Sequence, residues 1–278
     1  MTSGPVRIGM IIPGYNVSRT VADALLCLRP ETLAAVEEIV FIDNCSDDDT
    51  LRIVLELQSR PAPLGRRLTV LSNSVNHGLG GSLKIGLAYL QRHGFSHGLI
   101  VHSDGQGDNE VIARGLLDLM RAHPEANLIL ASRFHPEADL RGYSPLRILG
   151  NRFFNVMTRL LTGARISDAG TGIMLFATEI LDGIRYADFS SGLHFNPMLN
   201  IALYHRRDIH ILETALHWKD SAIGSTVLPW RYVMRLLWIL FNYRARIVLG
   251  LPGVSPHAGE DWLHAFPHTI HPAGRDPA

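Results

Sequence analysis

Residues 39–59, IVFIDNCSDDDTLRIVLELQS, decide the fold. Ile39–Ile42 is apolar at every position and too short for a helix. It reads as a strand buried on both faces, as in a parallel sheet. A polar turn follows directly, and Asp48 or Asp49 then opens a helix to about Ser59. The same unit recurs along the chain. Ile8–Ile12, Leu68–Leu71, Leu99–Val101 and Leu128–Ala131 are further short strands. Ser18 N-caps a helix to about Leu28, and Ser82–Arg92 and Asn109–His123 carry helical apolar spacing. The prolines and glycine of RPAPLGRR, 60–67, mark a loop. Strand alternating with helix predicts βαβ units and a doubly covered, mostly parallel α/β sheet.

Beyond Ala131 the pattern changes. Ser144–Thr162 reads as one long helix with an early Pro145 and a closing Gly163. Gly172–Phe176 and Ile209–Thr214 are strand candidates, and Thr226–Leu249 is a second long helical stretch. The tail from Pro252 is rich in proline, glycine and histidine and reads as irregular. The expected organisation is a catalytic domain over 1–226, a C-terminal amphipathic helix over 227–251 and a tail over 252–278.

The chain has 278 residues, of which 46% are hydrophobic and 19% charged, enough apolar material for a sizeable core. Its 26 basic and 26 acidic residues cancel. That excludes a binder of nucleic acid or anionic membrane driven by bulk charge, leaving only local patches. Cys27 and Cys45 are too few for a disulfide framework, and a reducing compartment fits. The N-terminal residues lack the build of a signal peptide, and no uninterrupted apolar run is long enough to span a membrane. The expected location is cytoplasmic.

In an open parallel sheet, ligands bind beyond the carboxyl ends of the strands. Four polar strand ends therefore carry the candidate chemistry: Pro13-Gly14-Tyr15-Asn16, Asp43–Thr50, Asn76–Gly81 and His102-Ser103-Asp104-Gly105-Gln106. Each also has a plain structural reading. The first is a simple turn. Asp47–Asp49 suits a helix N-terminus. The glycines of NHGLGG permit a tight loop, and they match neither a Walker loop nor a dinucleotide fingerprint. HSDGQ is the sharpest signal. His102, Asp104 and Gln106 share one face of an extended strand, so they can hold a divalent ion bridging a diphosphate. The competing reading is a polar turn into the next helix.

The order P-x-Y-N, D-x-x-S-x-D-x-T, N-x-G-x-G and D-G-Q resembles glycosyltransferase family 2 on the GT-A fold. Within it the chain is most like dolichyl-phosphate mannosyltransferases and bacterial polyprenyl-phosphate glycosyltransferases. The likeness runs through Ser132-Arg133, Arg147 and Asn151, and Asp168–Gly172, covering about residues 6–226. It fades at Lys219–Ser225. It implies a Rossmann-like, mostly parallel sheet with helices on both faces and a C-terminal helical extension. It further implies a nucleotide-binding set of Pro13, Tyr15, Asn16, Asp43, Asn76, Gly80, Lys84 and Asp104. Asp104 would hold Mg²⁺ or Mn²⁺, assisted by Gln106 or His102. Arg133 and Arg147 would meet phosphate oxygens of donor or acceptor. Asp168 would stand near sugar or acceptor, as general base if the acceptor is a hydroxyl.

Four departures bear on specificity. Val17 replaces an acid, Asp43-Asn44-Cys45 stands for Asp-Asp-Gly, and His102 stands for the first Asp of D-x-D. Asn196-Pro197 lies where an acid is usual. The implied activity is inverting transfer of a sugar from a UDP- or GDP-sugar to a polyprenyl-phosphate acceptor. Two alternatives are a transferase acting on a soluble hydroxyl and a nucleotide-sugar-binding protein without turnover. An NAD-type oxidoreductase fares worst, because PGYN rather than a glycine fingerprint follows the first strand. Arginines within Thr226–Leu249 fit either peripheral contact at the inner membrane face or an ordinary packed helix, in the domain or in a homodimer.

Overall fold

The computed structural model describes residues 5–218, 229–248 and 268–273. Eight strands among them form one sheet: β1 (Ile8–Gly14), β2 (Glu38–Asp43), β3 (Leu68–Asn73), β4 (His97–Ile100), β5 (Leu128–Ser132), β6 (Met174–Ala177), β7 (Ile211–Ala215) and β8 (His268–His271). Their spatial order is β7-β5-β6-β4-β1-β2-β3-β8. The β1–β2, β2–β3, β1–β4 and β5–β7 pairings are parallel. β6 runs antiparallel to both β4 and β5, and β8 runs antiparallel to β3.

The helices are α1 (Val21–Leu26), α2 (Pro30–Ala35), α3 (Thr50–Gln58), α4 (Pro63–Arg67), α5 (Gly78–Arg92), α6 (Asn109–Ala122), α7 (Pro145–Thr162), α8 (Phe195–Tyr204) and α9 (Pro229–Val248). The strands are apolar at consecutive positions because both sheet faces are covered. Met10, Ile12, Ile39 and Phe41 pack on one side with Val21, Val54 and Leu116. Ile11, Val40 and Ile42 pack on the other with Leu83 and Phe195. Full burial of each such side chain contributes about 1.5–3 kcal/mol. An exposed ion pair such as Arg52–Glu56 contributes about 0–1 kcal/mol. Alternation of apolar side chains, not surface charge, therefore fixes the register.

Several expectations need correction. The first helix starts after Thr20 rather than at Ser18. Val17 and Ser18 are held instead by the second loop, donating their amides to Thr50 Oγ1 and Asp48 Oδ2. The 60–67 segment is not all loop, since Pro63 takes the first turn of α4, where a missing N–H costs nothing. α5 begins at Gly78, four residues before the expected Ser82. The tail is not wholly irregular: 268–271 add an edge strand. α7 begins after Ser144 and stops at left-handed Gly163, φ 81°, as the sequence predicts. The Lys219–Ser225 segment, the boundary near 226 and most of the tail lie outside the described residues.

Candidate functional site

The carboxyl ends of β1, β2, β3, β4 and β5 share one rim. β6 runs the other way, so the Asp168–Gly172 turn before it reaches the same rim. The β1 and β4 ends are tied together: Ser103 Oγ donates to the Pro13 carbonyl at 2.7 Å, and Thr20 Oγ1 to the Ser103 carbonyl at 2.6 Å. Tyr15 projects from this edge with 45% of its surface exposed. Asn16 adopts φ 52°, a conformation Asn tolerates, and its Oδ1 accepts from the Asp47 amide at 2.8 Å.

Asp43 closes β2 and is buried. Its Oδ2 accepts from the Ser46 amide at 3.2 Å, whereas its buried Oδ1 has no hydrogen-bond partner. Burial pushes this carboxyl above its usual 3.8, against the pull of the Ser46 hydrogen bonds. A buried carboxylate oxygen without a donor is costly unless a ligand supplies one. Asp48 behaves oppositely. Burial acts to raise its pKa, but donors from Thr50 and Ser18 prevail and hold it at about 2. The acidic run therefore divides: Asp48 ties two loops, Asp49 pairs with Arg52, and Asp43 keeps a buried oxygen without a hydrogen-bond partner.

Asn76, Gly80 and Lys84 take structural positions. Asn76 Oδ1 accepts from Asn44 Nδ2 and the Gly78 amide, both at 2.8 Å, shaping the entry to α5. Gly80 packs so closely on the 190–195 segment that a Cβ would lie 2.4 Å from the Ser190 carbonyl. Lys84 is 1% exposed, and its ammonium donates to the Phe189 carbonyl and Ser191 Oγ. Burial lowers its pKa to about 8. Gly80 and Lys84 thus hold a neighbouring segment, Gly80 by close packing and Lys84 by its ammonium.

At the β4 end, Gly105 turns the chain with φ 73°, and Asp104 Oδ1 accepts from the Gln106 amide at 3.1 Å. Burial pushes the His102 imidazole down, opposed by nearby Asp104 and reinforced by Arg133. The three groups therefore share one electrostatic neighbourhood. Trp218 meets the His102 ring edge-on at 6.2 Å. Gly172 is demanded by space here: a Cβ would lie 2.4 Å from Asn196 Nδ2 and 3.0 Å from His102 Nε2. Among the described residues, no group of three or more His, Cys, Asp or Glu side chains is arranged as a metal site.

Arg133, just past β5, is held by Asp168. Its Nε donates to Asp168 Oδ2 at 2.7 Å, its Nη2 to Oδ1 at 2.8 Å and its backbone amide to Oδ2 at 3.1 Å. Asp168 is 1% exposed, and the Arg133 side chain 13%. Tyr143 accepts from Arg133 Nη1 at 3.3 Å and from Asn151 Nδ2 at 2.9 Å. Arg147 lies one turn before Asn151 on the same side of α7. The resemblance sets Asp168 toward the acceptor; its immediate partner in the structure is the guanidinium.

The sequence reading missed Tyr143, Asn155, Asn200 and Trp218. Asn155 and Asn200 pin the Asp168 turn by bonding Ser167, Ala169 and Thr171. Asn196 and Asn200, one turn apart in otherwise apolar α8, were the available signal.

A mostly parallel, doubly covered sheet with a polar rim at its strand ends defines a GT-A-type α/β protein. Solved glucosyl-3-phosphoglycerate synthase from Mycobacterium tuberculosis, in complex with Mn²⁺, UDP and glucosyl-3-phosphoglycerate, shares the fold. It superposes with a TM-score of 0.61 at 14% identity, covering 96% of this chain and 88% of that one. The model of glycosyl transferase family 2 matches residues 10–185, and the chain belongs to that family. It is similar to polyprenol monophosphomannose synthase of Mycolicibacterium smegmatis, 28% identical over 64% of this chain and 64% of the relative. It is also similar to UDP-N-acetylglucosamine–dolichyl-phosphate N-acetylglucosaminyltransferase of Methanococcus voltae, 22% identical over 63% and 70% of the two. The matched region thus spans under two thirds of the first relative's length.

Proposed function

We propose that the chain is an inverting glycosyltransferase that moves a sugar from a UDP- or GDP-sugar to a polyprenyl phosphate. The observation that carries this reading is the rim itself. A buried carboxylate oxygen without a donor at Asp43, a carboxylate at Asp104 and a preset guanidinium at Arg133 stand at or just past the carboxyl ends of β2, β4 and β5. Asp43 accepts from the imide N–H of uracil or from N1–H and the amino group of guanine; adenine offers no such pair. Tyr15 packs beside the base, and Pro13 and Asn16 shape the loop beneath it.

The Asp104 carboxylate and the Gln106 side-chain carbonyl are hard oxygen ligands at a partly exposed position, and they would hold Mg²⁺ or Mn²⁺. When bound, the ion neutralises charge developing on the leaving nucleoside diphosphate. His102, held neutral, assists Asp104. Arg133 presents its donors in an orientation set by Asp168, and Arg147 adds a second cation for a phosphate. An acceptor phosphate oxygen is already anionic and needs no base. This suits Asp168, whose two oxygens are both engaged by Arg133. Its role is to position that guanidinium. The names of the two relatives support the lipid-phosphate acceptor class.

The test incubates the full chain with GDP-mannose, UDP-glucose or UDP-N-acetylglucosamine, with either a polyprenyl phosphate or soluble alcohols as acceptor. Release of nucleoside diphosphate that requires the polyprenyl phosphate is expected. Turnover on soluble hydroxyls alone would move the acceptor class, and binding without turnover would leave only nucleotide-sugar recognition.

Asp43 gives a pH signature. Its pKa is raised by folding, so its proton is taken up at higher pH in the native state than in the unfolded chain. Ionised Asp43 therefore opposes folding, and that cost is relieved as pH falls through the raised value. The same protonation removes an acceptor for the base. Affinity for UDP or GDP measured by calorimetry should decline over that acid range, and Asp43→Asn should flatten the decline. An unchanged profile in the variant assigns the titration to another group.

A further inference from the structure

We propose that the outward side of the α7–α9 helix pair docks on an anionic lipid bilayer. The two helices pack on each other through Phe154, Leu236 and Leu240, with Ala169 and Ile201 beneath. Their outer sides are left apolar. On α7, Leu146, Leu149, Phe153, Val156 and Leu160 are exposed, Leu146 to 78%. They recur at intervals of three and four residues and so form a stripe opposite buried Phe154 and Thr158. On α9, Val233, Met234, Trp238 and Phe241 are exposed, Trp238 to 67%. These nine are the majority of the sixteen large apolar side chains exposed among the described residues. So dense a concentration marks an interaction face.

Charge selects the occupant. Neither helix contains an aspartate or glutamate. Exposed Arg152 and Arg159 flank the α7 stripe, and exposed Arg235 and Arg244 flank that of α9. A second copy meeting this face by a two-fold axis would oppose arginine to arginine without an acid to separate them. An anionic headgroup layer satisfies those cations while its acyl region takes the leucines and aromatics. Among the described residues, no helix is long and apolar enough to cross a membrane, so the pair lies on the surface rather than through it.

The test floats the full chain with vesicles of phosphatidylcholine alone, or of equal parts phosphatidylcholine and phosphatidylglycerol. Strong binding to the mixed vesicles only is expected, falling as salt rises. Arg152→Gln with Arg159→Gln should weaken it about 25-fold, at about fivefold per cation. Leu149→Gln with Phe153→Gln and Trp238→Gln should weaken it about tenfold or more. All five positions are solvent-exposed, and an unchanged denaturant midpoint in both variants serves as the folding control. Absence of binding to mixed vesicles overturns the proposal. So does equal binding by the charge variant, or a concentration-dependent dimer that these same substitutions abolish. The vesicles contain no polyprenyl phosphate, so the outcome is independent of which acceptor the transfer assay identifies.

Discussion

Asp104→Ala should lower metal-stimulated turnover by about 10²–10³-fold, the effect typical of removing one preset stabiliser of developing negative charge. Nucleotide affinity without metal should change little. The fold should survive, because the side chain is partly exposed and its local bond to the Gln106 amide is worth about 1 kcal/mol. His102→Ala should reduce turnover less, since a neutral imidazole adds no charge to hold the ion. The measurement is initial rate against Mn²⁺ concentration for the parent and both variants. A parent-like metal response in Asp104→Ala would remove the residue from the metal site.

Asp168→Ala should be the most destabilising single change at the rim. It leaves the Arg133 side chain, 13% exposed, without the carboxylate that takes two hydrogen bonds from its guanidinium and one from its backbone amide. Breaking one side of a buried pair costs about 3–5 kcal/mol, against about 5–15 kcal/mol for a whole domain. Asp168→Asn keeps the shape and one acceptor oxygen, so it should fold better while misaiming Arg133. With a polyprenyl phosphate as acceptor, that variant should raise KM for the acceptor and keep the parent pH–rate profile. Loss of a low-pH fall in rate that the parent shows would instead make Asp168 the proton acceptor. Denaturant midpoints measure the first effect, and steady-state kinetics across pH the second.

The parts of the fold legible in sequence are those that burial imposes locally. Ile39–Ile42 and Leu128–Ala131 are apolar throughout because both faces of their strands are covered, and each was found within one or two residues of its bounds. Strand direction is not written in such runs. Met174–Ala177 would look the same parallel or antiparallel, and only its pairing with β4 and β5 reveals that it runs backward. Pro30 and Pro63 punctuate sequence equally well as loop residues or as first residues of helices, so α2 and α4 went unseen. At the rim, the polar strand ends were legible but their partners were not. Arg133 and Asp168 are 35 residues apart, and no local pattern joins them. Gly80 and Lys84 read as a ligand loop because the 189–195 segment packed on them is far away in sequence, Phe189 being 105 residues from Lys84.

The edge strand β8 has a consequence for the order of synthesis. Ser72 and His271 face each other across 199 residues, and Gln58 reaches over to both the Leu68 and His271 carbonyls. A ribosome that has finished β3 must therefore make nearly two hundred more residues before that strand's outer amides and carbonyls gain their partner. Throughout that interval the nascent chain carries a bare ladder able to pair with any extended segment it meets. Whatever escorts the growing chain has this edge to shield until residues 268–271 emerge and relieve it of the task.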